Sequence, residues 1–117
     1  MNKTEEEMTA QELAEYIIQS TKDFFGNKST SFKLEHADDV PWKVFSFIFT
    51  AYRKFPMRFS YERGAFGYVI CEGKFGYKIP SSVEWYKAYL MNQILSDTKR
   101  DLELRLPDEY LKENGWI

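Results

Sequence analysis

Apolar positions in this chain recur with a helical period near the ends and with a period of two through the middle. In "MTAQEL", Thr9 is placed to cap a helix and Glu12, three residues on, completes a capping box. Met8 can staple onto Leu13. Leu13, Tyr16, Ile17, Thr21 and Phe24 then follow helical spacing, and Gly26 suits the stop. "STSFKLEH" alternates Phe32, Leu34 and His36 against Lys33 and Glu35, the pattern of a half-buried strand.

Two periods compete in the next segment. Val44, Phe47, Ile48, Ala51, Tyr52 and Phe55 form a helical stripe, while Phe45, Phe47 and Phe49 also alternate. The six-member stripe predicts a helix over 42–55, capped by Asp38 or Asp39, with Pro41 in its first turn and Pro56 at its end. Three strands follow, at Met57–Glu62, Ala65–Cys71 and Lys74–Ile79, with Arg63-Gly64 and Glu72-Gly73 as two-residue hairpin turns. "SSVE" is a second capping box, Ser81 with Glu84, opening a helix that buries Val83, Tyr86, Leu90 and Ile94. "RDLELRL" alternates Leu102, Leu104 and Leu106 as a last strand. "PDEYLKENG" reads as a short helix between Pro107 and Gly115.

Turn length fixes hairpin register. The first turn opposes Met57 to Ile70, Phe59 to Tyr68 and Tyr61 to Phe66. The second opposes Cys71 to Lys74, Ile70 to Phe75 and Tyr68 to Tyr77. One face then carries Met57, Phe59, Tyr61, Phe66, Tyr68 and Ile70, continued by Phe75, Tyr77 and Ile79. The other carries Arg58, Ser60, Glu62, Gly67, Val69, Cys71, Lys74, Gly76 and Lys78. Within "GAFGYVICEGKFGYKIP" a short phrase occurs twice, as expected of two neighbouring strands that serve the same aromatic layer.

"RGAFGYVIC" is similar to the eight-residue motif of the RNA recognition motif family, with Ala65 inserted and Cys71 in place of the last aromatic. The element order from residue 31 to 106 loosely fits that family, with one extra strand. The family stacks bases on open-face aromatics above an apolar second face that seats two helices. Here the second face holds Arg58, Ser60, Gly67, Gly76 and Lys78, which cannot seat helices. The helices must cover the aromatic face, so Phe66 and Tyr68 are assigned to the core. "VICEGK" contains Glu-x-Lys, and the element order resembles the core of PD-(D/E)xK nucleases. That family projects both residues from one strand beside an upstream Asp, whereas here Glu72 and Gly73 are expected to form the turn.

Composition sharpens this picture at two points. Fifteen of the 21 aromatic residues fall in 41–94, so the centre of the chain builds the core. The net charge of −2 divides into −5 for residues 1–40, +5 for 41–94 and −2 for 95–117. A basic centre between acidic ends suits an acidic partner. No apolar run is long enough to span a bilayer, so no membrane partner is expected. The first seven residues do not read as a secretory signal. One cysteine, Cys71, allows no internal disulfide, and a cytoplasmic setting is the simplest expectation.

The expected fold is a single α+β domain over residues 9–117 behind a flexible lead at 1–8. It has an antiparallel sheet with a central three-stranded meander, and its helices pack on one face. The expected function is that of a small non-catalytic binding or regulatory protein docking on a larger protein or protein–nucleic-acid assembly with an acidic surface. Compact inhibitors carried by phages and other mobile elements share that outline of size and composition. Partner binding is assigned to Arg58, Lys74 and Lys78 on the flat sheet face and to Arg63 at its turn. Trp85 and Tyr89, four apart on a helix, supply a second contact. No catalytic residue, cofactor or metal ligand is assigned: His36 is read as the end of a strand, and Cys71 has no base beside it. The alternative is a single-stranded nucleic-acid-binding domain with a basic aromatic sheet. A metal-dependent nuclease is the remote one.

Overall fold

A computed structural model describes residues 7–63, 65–72, 75–78 and 91–117, with backbone alone at 72 and 75–78. Helix α1 (Ala10–Phe25) begins as its capping box requires. The Glu12 N–H donates to Thr9 Oγ1 at 3.1 Å, and the Thr9 N–H to Glu12 Oε1 at 2.9 Å. A second cap comes from far along the chain: Asp39 Oδ1 accepts the Ala10 N–H at 2.9 Å. Asp39 therefore caps α1 and not a helix of its own. Ala10, Leu13, Ala14, Ile17, Thr21 and Phe25 form the buried face, and Gly26, at φ 56°, ends the helix.

Five strands follow as an antiparallel meander: β1 (Ser29–Asp38), β2 (Val44–Ala51), β3 (Phe55–Glu62), β4 (Ala65–Glu72) and β5 (Phe75–Lys78), in spatial order one to five. The expected helix over 42–55 is strand β2. Six of the seven residues from Val44 to Thr50 are β-branched or aromatic, which favours a pleated surface. Alternation buries Phe45, Phe47, Phe49 and Ala51, whereas the helical stripe would have left Phe45 and Phe49 off the core side. The turn from β2 to β3 is tight. Three residues, 52–54, join Ala51 to its partner Phe55; Tyr52 and Arg53 both take positive φ, 55° and 57°, and the Lys54 N–H reaches the Ala51 carbonyl at 3.0 Å.

The β3–β4 register matches the expected one pair for pair, with Met57 opposite Ile70, Phe59 opposite Tyr68 and Tyr61 opposite Phe66. Across β4–β5 the register is displaced by two residues: Ile70 faces Tyr77, and Glu72 faces Phe75, so Glu72 ends a strand and is not part of the turn. A displacement by an even number leaves every position on its expected face. In β1 an irregularity between Leu34 and His36 reverses the parity assumed for His36, which is exposed, and Ala37 takes the core side.

Helix α2 (Met91–Glu103) buries Met91, Ile94, Leu95, Thr98 and Leu102. It runs through the segment expected as a last strand, because Leu102 continues its helical stripe. Leu104 falls off that stripe and is 79% exposed. The expected start of this helix at Ser81, with Val83, Tyr86 and Leu90, lies outside the described residues. Helix α3 (Asp108–Glu113) starts after Pro107 and is followed by Gly115 at φ 74°. Trp116 is buried against the β2–β3 turn. Its ring meets Tyr52 edge-on at 5.3 Å, and its Nε1–H donates to Asn27 Oδ1 at 3.2 Å. The chain is thus a single α+β domain with its helices on the aromatic face of the sheet, where the core lies.

Candidate functional site

The other face of the sheet is the candidate site, and its layout follows from register. The middle cross-strand row reads Lys33, Ile48, Arg58, Val69 and Lys78, one residue from each strand. On one side runs a row of His36, Ser46, Ser60 and Gly67. On the other lie Thr30, Thr50 and Pro56. Cations and branched apolar side chains alternate along the middle row, and small residues flank it. Ile48 and Val69 are half-buried, and Lys33 is exposed.

Arg58 is held at the centre of this face. Its Nε–H and Nη2–H donate to the two oxygens of Glu35 at 2.8 and 3.0 Å, a two-pronged pair reaching from β3 over β2 to β1. The Ser46 hydroxyl, on the strand between, donates to Glu35 Oε1 at 2.9 Å and lies 3.4 Å from His36 Nδ1. Bonding to Arg58 holds the Glu35 carboxyl below its usual range against a smaller opposing effect of burial, and the Arg58 guanidinium is raised in turn. The free cation expected at Arg58 is therefore a positioned one, its side chain 45% exposed. Arg58 Nη1 is directed at Cys71 Sγ, 3.9 Å away, and Cys71 is half-buried there.

The remaining expected site residues divide. Lys78 takes its place in the row by register. Arg63 does not join the row. Its φ is 54°, its N–H bonds the Lys43 carbonyl, and its guanidinium stacks 3.5 Å above the Trp42 ring at the end of the sheet. Lys74, Trp85 and Tyr89 lie outside the described residues. Lys33 was missed, because reading β2 as a helix removed the strand that places Lys33 beside Ile48. Its exposed parity in "STSFKLEH" was the available signal.

Among the described side chains, the aromatics Phe45, Phe47, Phe59, Phe66 and Tyr68 are on the opposite side, all buried in the core. They offer bases no platform. Among the described residues no group of three His, Cys, Asp or Glu side chains gathers as a metal site, and no helix is long and apolar enough to cross a membrane. A groove of about 630 Å³ lies on the helical side between α1, α2 and α3, with Phe24, Leu104, Leu111 and Ile117 on its walls. Its basic side chains Lys99 and Arg100 are paired with Glu103 and Asp97.

Comparison with protein-family models, with curated proteins and with solved structures gave no match to this chain.

Proposed function

We propose that this chain is a small binding and regulatory protein, not an enzyme, which docks the sheet face turned away from the described helices on an acidic surface of a larger protein or protein–nucleic-acid assembly. The alternating row from Lys33 to Lys78 carries the reading. Lys33 stands exposed at one edge and Arg58 at the centre, the register adds Lys78 on the last strand, small neighbours leave the backbone approachable, and a packed aromatic layer keeps the sheet rigid. Arg58 is prearranged by Glu35, so little side-chain ordering remains to be lost on binding. A small inhibitor of a nucleic-acid-handling assembly, such as phages and mobile elements carry, fits this mode. Cys71, half-buried below Arg58, suits the reducing cytoplasm.

The test compares three forms of the protein as baits in extract of the native host. They are the wild type, the double variant Lys33→Glu/Lys78→Glu and the control Lys22→Glu/Lys112→Glu. Quantitative mass spectrometry should find a partner held by the wild type and control but released by the sheet variant. Retention by the sheet variant and loss by the control would sink the reading. Binding of nucleic acid alone, weakening steeply with salt, would replace it with the second reading.

A further inference from the structure

From the order of the rows we infer that this sheet face pairs with the same face of a second copy of the chain, about a two-fold axis that crosses the strands along His36, Ser46, Ser60 and Gly67. The inference stands on the register and the charges of the face, not on the docking reading above.

The face carries acids as well as cations. Beyond the row of His36, Ser46, Ser60 and Gly67, on the side away from Lys33, the ladders set out a further row of Asp38, Val44, Glu62 and Ala65. Rows on one face follow one another at about 6.8 Å, two residues along each strand. The serine row is therefore midway between this acidic row and the row of Lys33, Ile48, Arg58 and Val69. A two-fold axis along the serine row lays each strand over its own counterpart, end for end. Strand by strand, Asp38 of one copy then faces Lys33 of the other, Val44 faces Ile48, Glu62 faces Arg58 and Ala65 faces Val69. Acid meets base on β1 and β3, apolar meets apolar on β2 and β4, and the symmetry makes each match twice. An axis along β2 fails the same comparison, because it sets Lys33 over Arg58 and Asp38 over Glu62.

The charges are available for these pairs. Asp38, Glu62 and Lys33 are exposed and make no ion pair among the described residues. Arg58 gives its Nε–Nη2 edge to Glu35 and keeps Nη1, beside Cys71 Sγ, for Glu62 of the other copy. The Glu35 carboxylate lies over β2 against Ser46, so the two copies' carboxylates stand on either side of the axis, each neutralised by its own Arg58. Serine and glycine along the axis on β2, β3 and β4 leave them room. Sheets packed face to face keep their strands within about 30°, which displaces a facing pair about 7 Å from the axis by about 3 Å, within the reach of lysine and arginine. Strands about 27 Å long, four of them about 19 Å wide, offer about 500 Å² per copy, or about 1,000 Å² in all. That area is at the lower bound for a specific interface, so the dimer is a reversible one. Where the docking reading also holds, the second copy and the host partner compete for one face.

Sedimentation equilibrium on the full chain tests this. The wild type should pass from monomer to dimer between about 1 and about 500 μM. Lys33→Glu and Asp38→Lys, each alone, should weaken self-association about tenfold or more, because each sets like charges together twice. An equimolar mixture of the two variants should regain association as a mixed dimer, and a chain carrying both changes should regain it with itself. Lys22→Glu/Lys112→Glu, on the helices, should leave it unchanged. A wild type still monomeric at the top of the range would overturn the inference. So would single variants that dimerise as before, or a mixture and a double variant that stay monomeric while thermal melts show them folded. A monomeric wild type that captures a host partner, released by Lys33→Glu/Lys78→Glu, would remove the second copy and leave the docking reading standing. A dimer that responds to the charge exchange, with no partner released by that sheet variant, would do the reverse.

Discussion

Tyr68 and Thr21 share a hydrogen bond of 2.8 Å at a point where neither side chain reaches solvent. Thr21 commits its own proton to the Ile17 carbonyl at 2.7 Å, so the Tyr68 hydroxyl is the donor. The bond ties α1 to the centre of the sheet, beside the edge-on contact of Tyr68 with Phe59 at 4.9 Å. Tyr68→Ala should lower stability by about 3–5 kcal/mol, as expected for emptying a packed aromatic site. Tyr68→Phe should cost only about 1 kcal/mol, the worth of one hydrogen bond. Urea unfolding measures both. An unchanged midpoint for Tyr68→Ala would mean that the ring is not core.

Arg58 and Lys33 share a row but should differ under substitution. Arg58→Ala breaks the pair with Glu35 and should cost about 1 kcal/mol, at the upper end for a partly exposed ion pair. Lys33→Ala should stay within about 0.5 kcal/mol. Equal effects in thermal melts would show that the pair contributes nothing.

The same pair gives stability an acid limb. The Glu35 carboxyl is held below its ordinary value of 4.5 in the folded chain, so the unfolded chain takes up its proton first as pH falls. Its contribution is complete above that value and disappears as pH drops through the lowered one. Subtracting the stability curve of Glu35→Gln from that of the wild type should leave a step confined to that acid window. A flat difference would remove the pair from the account.

Tyr52 should act at the other end of the pH scale. Its ring is buried, and its hydroxyl donates to Glu103 Oε2 at 2.5 Å; burial first, and then that bond, raise its proton affinity above the ordinary value of 10.0. The folded state therefore keeps a proton that the unfolded state releases. The contribution of Tyr52 is fully present below pH 10.0 and falls as pH rises beyond it. At neutral pH, Tyr52→Phe should cost about 1.5–3 kcal/mol, the range for a bond to a charged group. Its unfolding free energy should approach that of the wild type in alkali. A constant gap between the two would contradict the assignment.

Cys71→Ser should be silent. The thiol is half-buried beside Arg58 and makes one weak contact, so a stability change within about 0.5 kcal/mol is expected. Partner capture should also be unchanged. Lost capture with intact folding would give the thiol a part in binding.

The hairpin of β3 and β4 was legible to the residue. A two-residue turn leaves one register, and Phe59 opposite Tyr68 follows from counting. β2 was not, because Val44, Phe47, Ile48 and Ala51 satisfy a helix while Phe45, Phe47 and Phe49 satisfy a strand. The choice depended on whether β1 and β3 lay on either side. From that one ambiguity came the omission of Lys33. The pairing of Glu35 with Arg58 could not be read at all, since it joins residues 23 apart across an intervening strand. His36 changed face through a local irregularity that no alternation rule records.

Each strand of the meander lies beside the one made just before it, so every ladder closes over a short stretch of chain. Among the described residues, the long closures tie the flanking helices and the C-terminal segment to the sheet. Thr21 must find Tyr68, 47 residues away, and Trp116 must find Asn27, 89 residues away. Ladders between consecutive strands lose little loop entropy as they form, whereas these two closures lose much more. The sheet can therefore assemble early, and the clasp of Trp116 beside Tyr52 and Asn27, the wider of the two closures, forms after it.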